Sequence, residues 1–344
     1  MSSDTYSNPI LVIGGREVQT FTSIQFTETG KSTAASLNIT LNDPQFRDAP
    51  LSGKSILFFL NYGSEDSIPF FRGIIRQVNP SDTNIKVVAY DVRTLLTGNE
   101  SLSFDLTDKD NYDGFTLAQF LHDYISENIN IKKTIIGLDM LRETDPVVSL
   151  SGVRGNNLSA LKLIKQELPK NEDNINNIVN NRLSILDDGE KSNIFFTKEQ
   201  DLDNAGVKFT YSDGIKSLSH KKRPAPNLIS GKSLDNNRNV VYTHNSLDSG
   251  VRAQQLKKTF SYPDEVVQAS YVLAKYSEID TEMKMNTTKG HYLGIGNVIN
   301  VHVTENPEQT GKFRILSKQV TCSKSGVTCV LQVGKERPEV NEFF

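Results

Sequence analysis

Five histidines have the widest chemical reach in this sequence, and none is spaced to use it. His122, His220, His244, His291 and His302 are scattered along 344 residues. No two stand at i and i+4, the spacing that sets two imidazoles on one helix face around a metal. The two cysteines, Cys322 and Cys329, have no histidine pair beside them, so a zinc site does not follow. If their strands turn at Lys324-Ser325, Cys322 faces Val327 and Cys329 faces Val320. Thiols so far out of register do not form a disulfide, and both are expected as small buried residues. Asp235-x-Asn237-x-Asn239 opens like a calcium loop, but Val240 stands where the sharp turn wants glycine and Ser246 where a bidentate glutamate belongs. Asp108-x-Asp110-x-x-Asp113-Gly114 is no more complete, and both read as polar linkers. Asp187 and Asp188 are chain neighbours, so their carboxylates point apart and cannot share acid–base work.

Phosphate and nucleophile chemistry fares no better. Gly294-Ile295-Gly296 precedes a run of strand formers, whereas a phosphate loop needs a helix N-terminus to supply N–H donors. It reads as a turn or bulge. His220-Lys221-Lys222-Arg223 could meet a phosphate or an acidic partner, and fits more simply a solvated hairpin tip. G-x-S-x-G, H-E-x-x-H and G-x-x-x-x-G-K-[ST] are all missing from the sequence. No catalytic residue, cofactor-binding residue or metal ligand is assigned, and the expectation is a protein that is not an enzyme.

With no chemistry to position, the elements must explain the sequence. A net charge of −3 argues against a dedicated nucleic-acid binder, which would carry a basic excess. Trp is absent, so any carbohydrate platform would rest on the 11 Tyr and 17 Phe. The start, "MSSDTYSNPILVIGG", has neither the basic nor the apolar stretch of a signal peptide. The longest apolar run, Ile56 to Leu60, falls far short of the roughly 18 residues a membrane span needs. Synthesis in a cytoplasm is the expectation.

The first hundred residues predict β structure. "PILVI" and "REVQTF" flank Gly14-Gly15, a dipeptide suited to a two-residue hairpin turn. "TAASLNITL" alternates Leu37, Ile39 and Leu41 before the breaker Asn42-Asp43-Pro44. "SILFFL", "FFRGIIRQV" and "IKVVAYDV" follow, enough short strands for a small closed or half-closed barrel. The middle changes period. Thr116 and Gln119 form a capping pair for a helix carrying Leu117, Phe120, Leu121, Tyr124 and Ile125. Asn157 caps a second helix, with Leu158, Leu161, Ile164 and Leu168 on one stripe before Pro169 stops it. The Asn-rich stretch within 171–193 is either a loop or a poor helix, and "RLSILDDGEKSNIFFT" is a hairpin turning at Asp188-Gly189. From Val207 the chain returns to β through "NLISGKSL" and "NVVYTH". A helix opening at Pro263 interrupts it, with Val266, Ala269, Leu273 and Tyr276 on one face.

One strand is written twice. "FFRGIIRQV" from Phe70 and "GKFRILSKQV" from Gly311 share Phe-Arg-x-(Ile/Leu)-x-(Arg/Lys)-Gln-Val when Phe71 is set on Phe313. Carried forward, that offset places Ser81 on Ser323, Ile85 on Val327, Val88 on Val330 and Ala89 on Leu331. Upstream, "GKSILFFL" from Gly53 matches "GNVINVHV" from Gly296 after a one-residue gap. Alternation alone forces some matches between strands, but shared Phe, Arg, Gln and Val in one order of three strands point to a duplicated module. Phe71 and Phe313, with Ile74 and Leu316, are expected in the two cores, and Arg72 and Arg314 on an outer wall.

A first barrel, an α/β insert and a second barrel ending in G-x-x-(V/I)-x-V, G-x-F-R-(I/V) and S-x-x-G-(V/T)-x-x-L-x-(V/L) make a specific combination. It resembles the baseplate hub proteins of contractile-tailed bacteriophages and contractile injection systems, the late control protein D family. Gly296, Val298, Val301, Gly311, Phe313, Arg314, Ile315, Ser323, Gly326 and Leu331 carry the resemblance, with Phe71-Arg72-Gly73 and "VVAYDVRTLL" in the first barrel. It implies a mainly β fold with an α/β insert: a first barrel at 1–102, the insert at 103–204, a split second barrel at 205–249 and 283–338, and a helix-containing insertion at 250–282. It also implies a homotrimer whose two barrels per chain form a ring of six near-equivalent units. That ring would join a hexameric tail tube to a trimeric spike among other baseplate proteins of the virion, with phage DNA passing through unbound. The rival readings are a tail hydrolase built from scattered His and Asp, and a tube or distal-tail protein.

Overall fold

The structure, a computed structural model, describes residues 9–29, 34–60, 68–96, 115, 119, 136–137, 181–187, 192–198, 206–223, 228–233, 239–243, 255–260, 280–304, 306–323 and 326–334. β1 (Ile10–Ile13) and β2 (Arg16–Glu17) meet across Gly14 and Gly15, whose φ values of 55° and 82° are left-handed as the tight turn requires. β3 (Phe21–Thr29), β4 (Ser36–Leu41), β5 (Ser55–Phe59), β6 (Phe71–Pro80) and β7 (Ile85–Asp91) complete the first unit. Between β4 and β5, the Asp43 side chain accepts from the Gln45 N–H and caps the turn Pro44–Phe46. The alternation is clean. Leu37, Ile39 and Leu41 on β4, and Ile85, Val87 and Ala89 on β7, all point into the core.

β8 (Ile136–Gly137), β9 (Asn181–Asp187) and β10 (Ser192–Lys198) form a separate three-stranded sheet, in which β9 and β10 are antiparallel and Asp187 pairs with Ser192, two residues beyond the partner that a turn at Asp188-Gly189 alone would give it. The second unit begins with β11 (Lys208–Phe209) and β12 (Ile215–Arg223). Among the described strands, β13 (Leu228–Ser233), β14 (Asn239–Thr243) and β15 (Gln255–Phe260) pair only with each other. β16 (Asp280–Thr287), β17 (Val298–Val301), β18 (Gly311–Ser323) and β19 (Gly326–Gly334) close the unit. Of the helix expected around 116–125 only Gln119 is described, and it is helical; the helices expected around 157–168 and 263–276 and the Asn-rich stretch before β9 lie outside the described residues.

The strand orders show the duplication. The first unit runs β3-β4-β7-β6-β5-β1, and the second runs β12-β16-β19-β18-β17-β11. Each order has the same chain sequence of strands, apart from the segment holding β13 to β15 between β12 and β16. The last strand differs in direction, since β1 is antiparallel to β5 and β11 parallel to β17. Turn by turn, the hairpins agree: Gln77↔Val88, Val78↔Val87 and Pro80↔Ile85 correspond to Gln319↔Val330, Val320↔Cys329 and Cys322↔Val327. The fold is therefore mainly β, two similar small curled half-barrels of which the second is discontinuous. β18 pairs with β3 over Ser317–Ser323 and Ser23–Thr29, which fuses the two into one thirteen-stranded sheet.

Three expectations are corrected. "NLISGKSL" and "NVVYTH" (β13 and β14) were expected in the second barrel. β16 takes the place beside β12, however, and parallel β15 completes their own sheet. "REVQTF" was expected as one strand, but β2 stops at Glu17 and β3, unforeseen, begins at Phe21. Phe71 is buried at 4% exposure, whereas Phe313 is only partly buried. The cause lies in register: Phe71 stands opposite Phe58 and Phe313 opposite Ile299. The bulge also sits at Leu316 in β18 but at Arg76 in β6, two residues apart in the aligned sequences. Leu316, at that bulge, is likewise half-buried while Ile74 is buried.

Candidate functional site

Among the described residues, those singled out for chemistry do not assemble. No group of three or more His, Cys, Asp or Glu that could hold a metal forms among the described residues. His291 is buried with its ring against Tyr292, His220 is exposed with Nδ1 2.8 Å from Gln309 Nε2, and His302 is exposed. His122, His244, Asp188 and both partial acidic loops, apart from Asn239 and Val240 of the second, lie outside the described residues. Gly294-Ile295-Gly296 is a turn: the Gly294 N–H donates to Asn297 Oδ1, and Gly296, at φ 91°, donates to the Ile315 carbonyl as β17 starts. His220 and Lys221 lie exposed along β12. Cys322 and Cys329 face Val327 and Val320 and are free, buried thiols. Burial pushes the Cys329 thiol up to about 11, against the pull of Thr287 and Lys318.

What the fold does bring together is charge, at the seam between the half-barrels. Asp91 ends β7, and its carboxylate accepts from the Ala35 N–H at 2.8 Å, the Arg93 N–H at 3.0 Å, and Arg93 Nε and Nη2 at 3.0 and 2.6 Å. Arg93 Nη2 also reaches Glu28 Oε1 on β3 at 2.9 Å. Across the seam, Lys318 of β18 pairs in register with Glu28, its Nζ 3.9 Å from Glu28 Oε2. The same Nζ donates to the carbonyls of Leu293 at 2.8 Å and His291 at 3.2 Å, and lies 5.3 and 5.4 Å from the Phe26 and Phe70 ring centres. Asp91, Arg93 and Lys318 are each about 6% exposed or less.

Two acids and two bases thus balance in a dry setting. Burial works against the Arg93 cation, but Asp91 and Glu28 outweigh it and hold the guanidinium above its ordinary value. Burial raises the Asp91 carboxyl while Arg93 opposes it, and burial lowers Lys318 while Glu28 opposes it. Such an arrangement braces the seam between the two half-barrels: breaking one member strands a buried partner, at about 3–5 kcal/mol. Sequence reasoning missed this set, although its traces were present in Asp91-x-Arg93 within "VVAYDVRTLL" and in the repeated Arg/Lys position of Arg76 and Lys318.

No family model matches this sequence, and no curated protein matches it. Its fold has clear counterparts. A tail protein from Neisseria meningitidis MC58 superposes with a TM-score of 0.63 at 12% identity, covering 95% of this chain and 96% of that one. The 43 kDa tail protein of prophage MuSo2 from Shewanella oneidensis gives 0.61 at 14% identity, over 94% and 97%. The E. coli c3393 protein, a type VI secretion component described as structurally similar to the T4 bacteriophage tail proteins gp27 and gp5, gives 0.54 at 12% identity, over 97% and 78%. In fold the chain is similar to these phage tail proteins and to this type VI secretion component.

Proposed function

We infer that this chain is a structural baseplate hub protein of a contractile tail, not an enzyme. One observation carries the reading. Each chain holds two half-barrels of the same strand order, fused edge to edge in one sheet. Three such chains present six near-equivalent units, so a trimer can match a hexameric tube on one side and a trimeric spike on the other. Gene duplication is the economical route to that adaptor, because the two copies keep one fold while their surfaces diverge. On this reading the domains are a first barrel ending near residue 102, an α/β insert to about 204, and a second barrel interrupted after β12 and resumed at β16. A net charge of −3 suits a channel through which DNA passes without tight phosphate contacts. The place of action is the virion, after assembly in a host cytoplasm.

The test is the mass of the purified protein by light scattering, with imaging of the particle. Three chains in a ring around an open channel is the expected result. A monomer or dimer across the accessible concentration range would sink the reading.

A further inference from the structure

The outward walls of the two half-barrels have diverged. On β5, Leu57 and Phe59 alternate with the core residues Ile56 and Phe58, and cross-strand partners share a face, so Phe59 and its partner Ile10 point outward. Ile74, opposite Ser55, lies on the same side. Phe59 and Ile74 are nevertheless only 8% and 4% exposed, and neither belongs to the cluster that fills the core. The turn Val92–Leu96 lies against both β6 and β10, and its Val92 is likewise buried outside that cluster. The chain itself closes this wall.

The matching wall of the second half-barrel is open and basic. Phe59 is one residue beyond Phe58, the partner of Phe71, and Asn300 is one beyond Ile299, the partner of Phe313. Where the first unit has Ile10 and Phe59, the second has the row Lys208, Asn300 and Lys312, one residue on each of β11, β17 and β18. Lys208 and Lys312 are exposed, and Asn300 is half-buried. By alternation exposed His302 and half-buried Arg314 share the face. Among the described residues no carboxylate pairs with either lysine. Adjacent strands lie about 4.8 Å apart, so the two lysines leave the sheet about 10 Å from each other, with the Asn300 amide between them.

We propose that this row is a docking surface for an acidic segment of another protein, whose carboxylates pair with Lys208 and Lys312 while the Asn300 amide hydrogen-bonds between them. What the chain covers for itself in the first half-barrel it leaves to a partner in the second, and the charges name the partner's chemistry. Nucleic acid is the poorer fit. A duplex carries one charge per about 1.7 Å of axis and its tight binders neutralise about six to ten phosphates, whereas this wall offers three permanent cations and no matching set on its twin. The surface is independent of how many copies assemble, so it goes beyond the hub reading and can fail without it.

The test is binding of a fluorescently labelled oligoglutamate peptide to the full chain, read by anisotropy at about 0.05 M salt, where charges beyond about 14 Å are largely screened. Lys208→Glu with Lys312→Glu is expected to weaken binding about tenfold or more, because two attractions become repulsions. Lys86→Glu with Lys284→Glu makes the same charge change at exposed strand positions elsewhere and should leave binding within about twofold. If thermal melting shows the first pair misfolded, Lys208→Gln with Lys312→Gln decides, with a loss of about threefold expected and no loss counting against the surface. The proposal is overturned if the native chain does not bind the peptide, or if both charge-reversed pairs lose binding equally. Tighter binding of a DNA duplex through the same two lysines overturns it too. None of these outcomes bears on the trimer mass that tests the hub reading.

Discussion

Lys318 shows how one side chain can report on the seam. Burial lowers its proton affinity below that of the unfolded chain, whose lysine titrates near 10.5. Below the lowered value both states are protonated, and the cost of the buried cation is felt in full. Between that value and 10.5 the unfolded state holds a proton the folded state has released, so stability rises with pH. Asp91, raised above 3.8, acts in the opposite sense from that value upward, and is common to a Lys318 variant. Cys329, pushed up to about 11 by burial, lowers stability above pH 9, and does so no less in a Lys318 variant, which lacks the lysine that pulls against that rise. The informative quantity is therefore a difference. Urea midpoints measured from pH 7 to 10 should diverge between the native protein and Lys318→Met, the native protein gaining up to about 1.4 kcal/mol per pH unit over the variant within the window. Parallel pH profiles would mean that Lys318 is solvated, and that the seam is wetter than its geometry suggests.

At the scale of strands, much was legible in the sequence, and the reasons for the rest are physical. The hairpin of β18 and β19 could be read to the residue, because a two-residue turn at Lys324-Ser325 fixes every pair back to Gln319↔Val330. Bulges leave no such mark, and the one at Leu316 moved the first half of β18 against its twin. β3 carried Ile24 and Phe26 in plain alternation, yet its partner across the seam is 290 residues away, where local pattern is silent. Asp91, Arg93, Glu28 and Lys318 were hidden for the same reason: each reads as an ordinary surface charge until the fold brings them together. This has a measurable consequence for the repeated Phe. Phe71 is enclosed, with Phe26 6.0 Å from its ring centre, so Phe71→Ala should cost about 3–5 kcal/mol. The half-buried Phe313 should cost clearly less when truncated. Equal losses in thermal or urea unfolding would show that the two positions are equivalent after all.

For the whole molecule, the question is whether two half-barrels in one chain behave as two domains or one. Two independent domains would be joined by a linker and a polar interface, and each would open alone. Here the boundary is a sheet ladder of seven pairs, Ser317↔Thr29 to Ser323↔Ser23, with a buried charge network across it. Neither half can let go without exposing strand edges and stranding Glu28, Arg93 or Lys318 in partial contact. Cooperative unfolding of both halves together follows. Arg93 lies wholly in the first half by sequence, so it provides the discriminating variant. Arg93→Ala leaves the buried Asp91 and the half-buried Glu28 without their guanidinium and should cost about 3–5 kcal/mol. If the halves are one unit, hydrogen exchange will show amides of β7 and of distant β19 losing protection by a similar factor. If β19 keeps its native protection while β7 opens, the seam is a contact between separable domains. The rigid double unit that a six-part ring calls for would then have to be supplied by neighbouring chains.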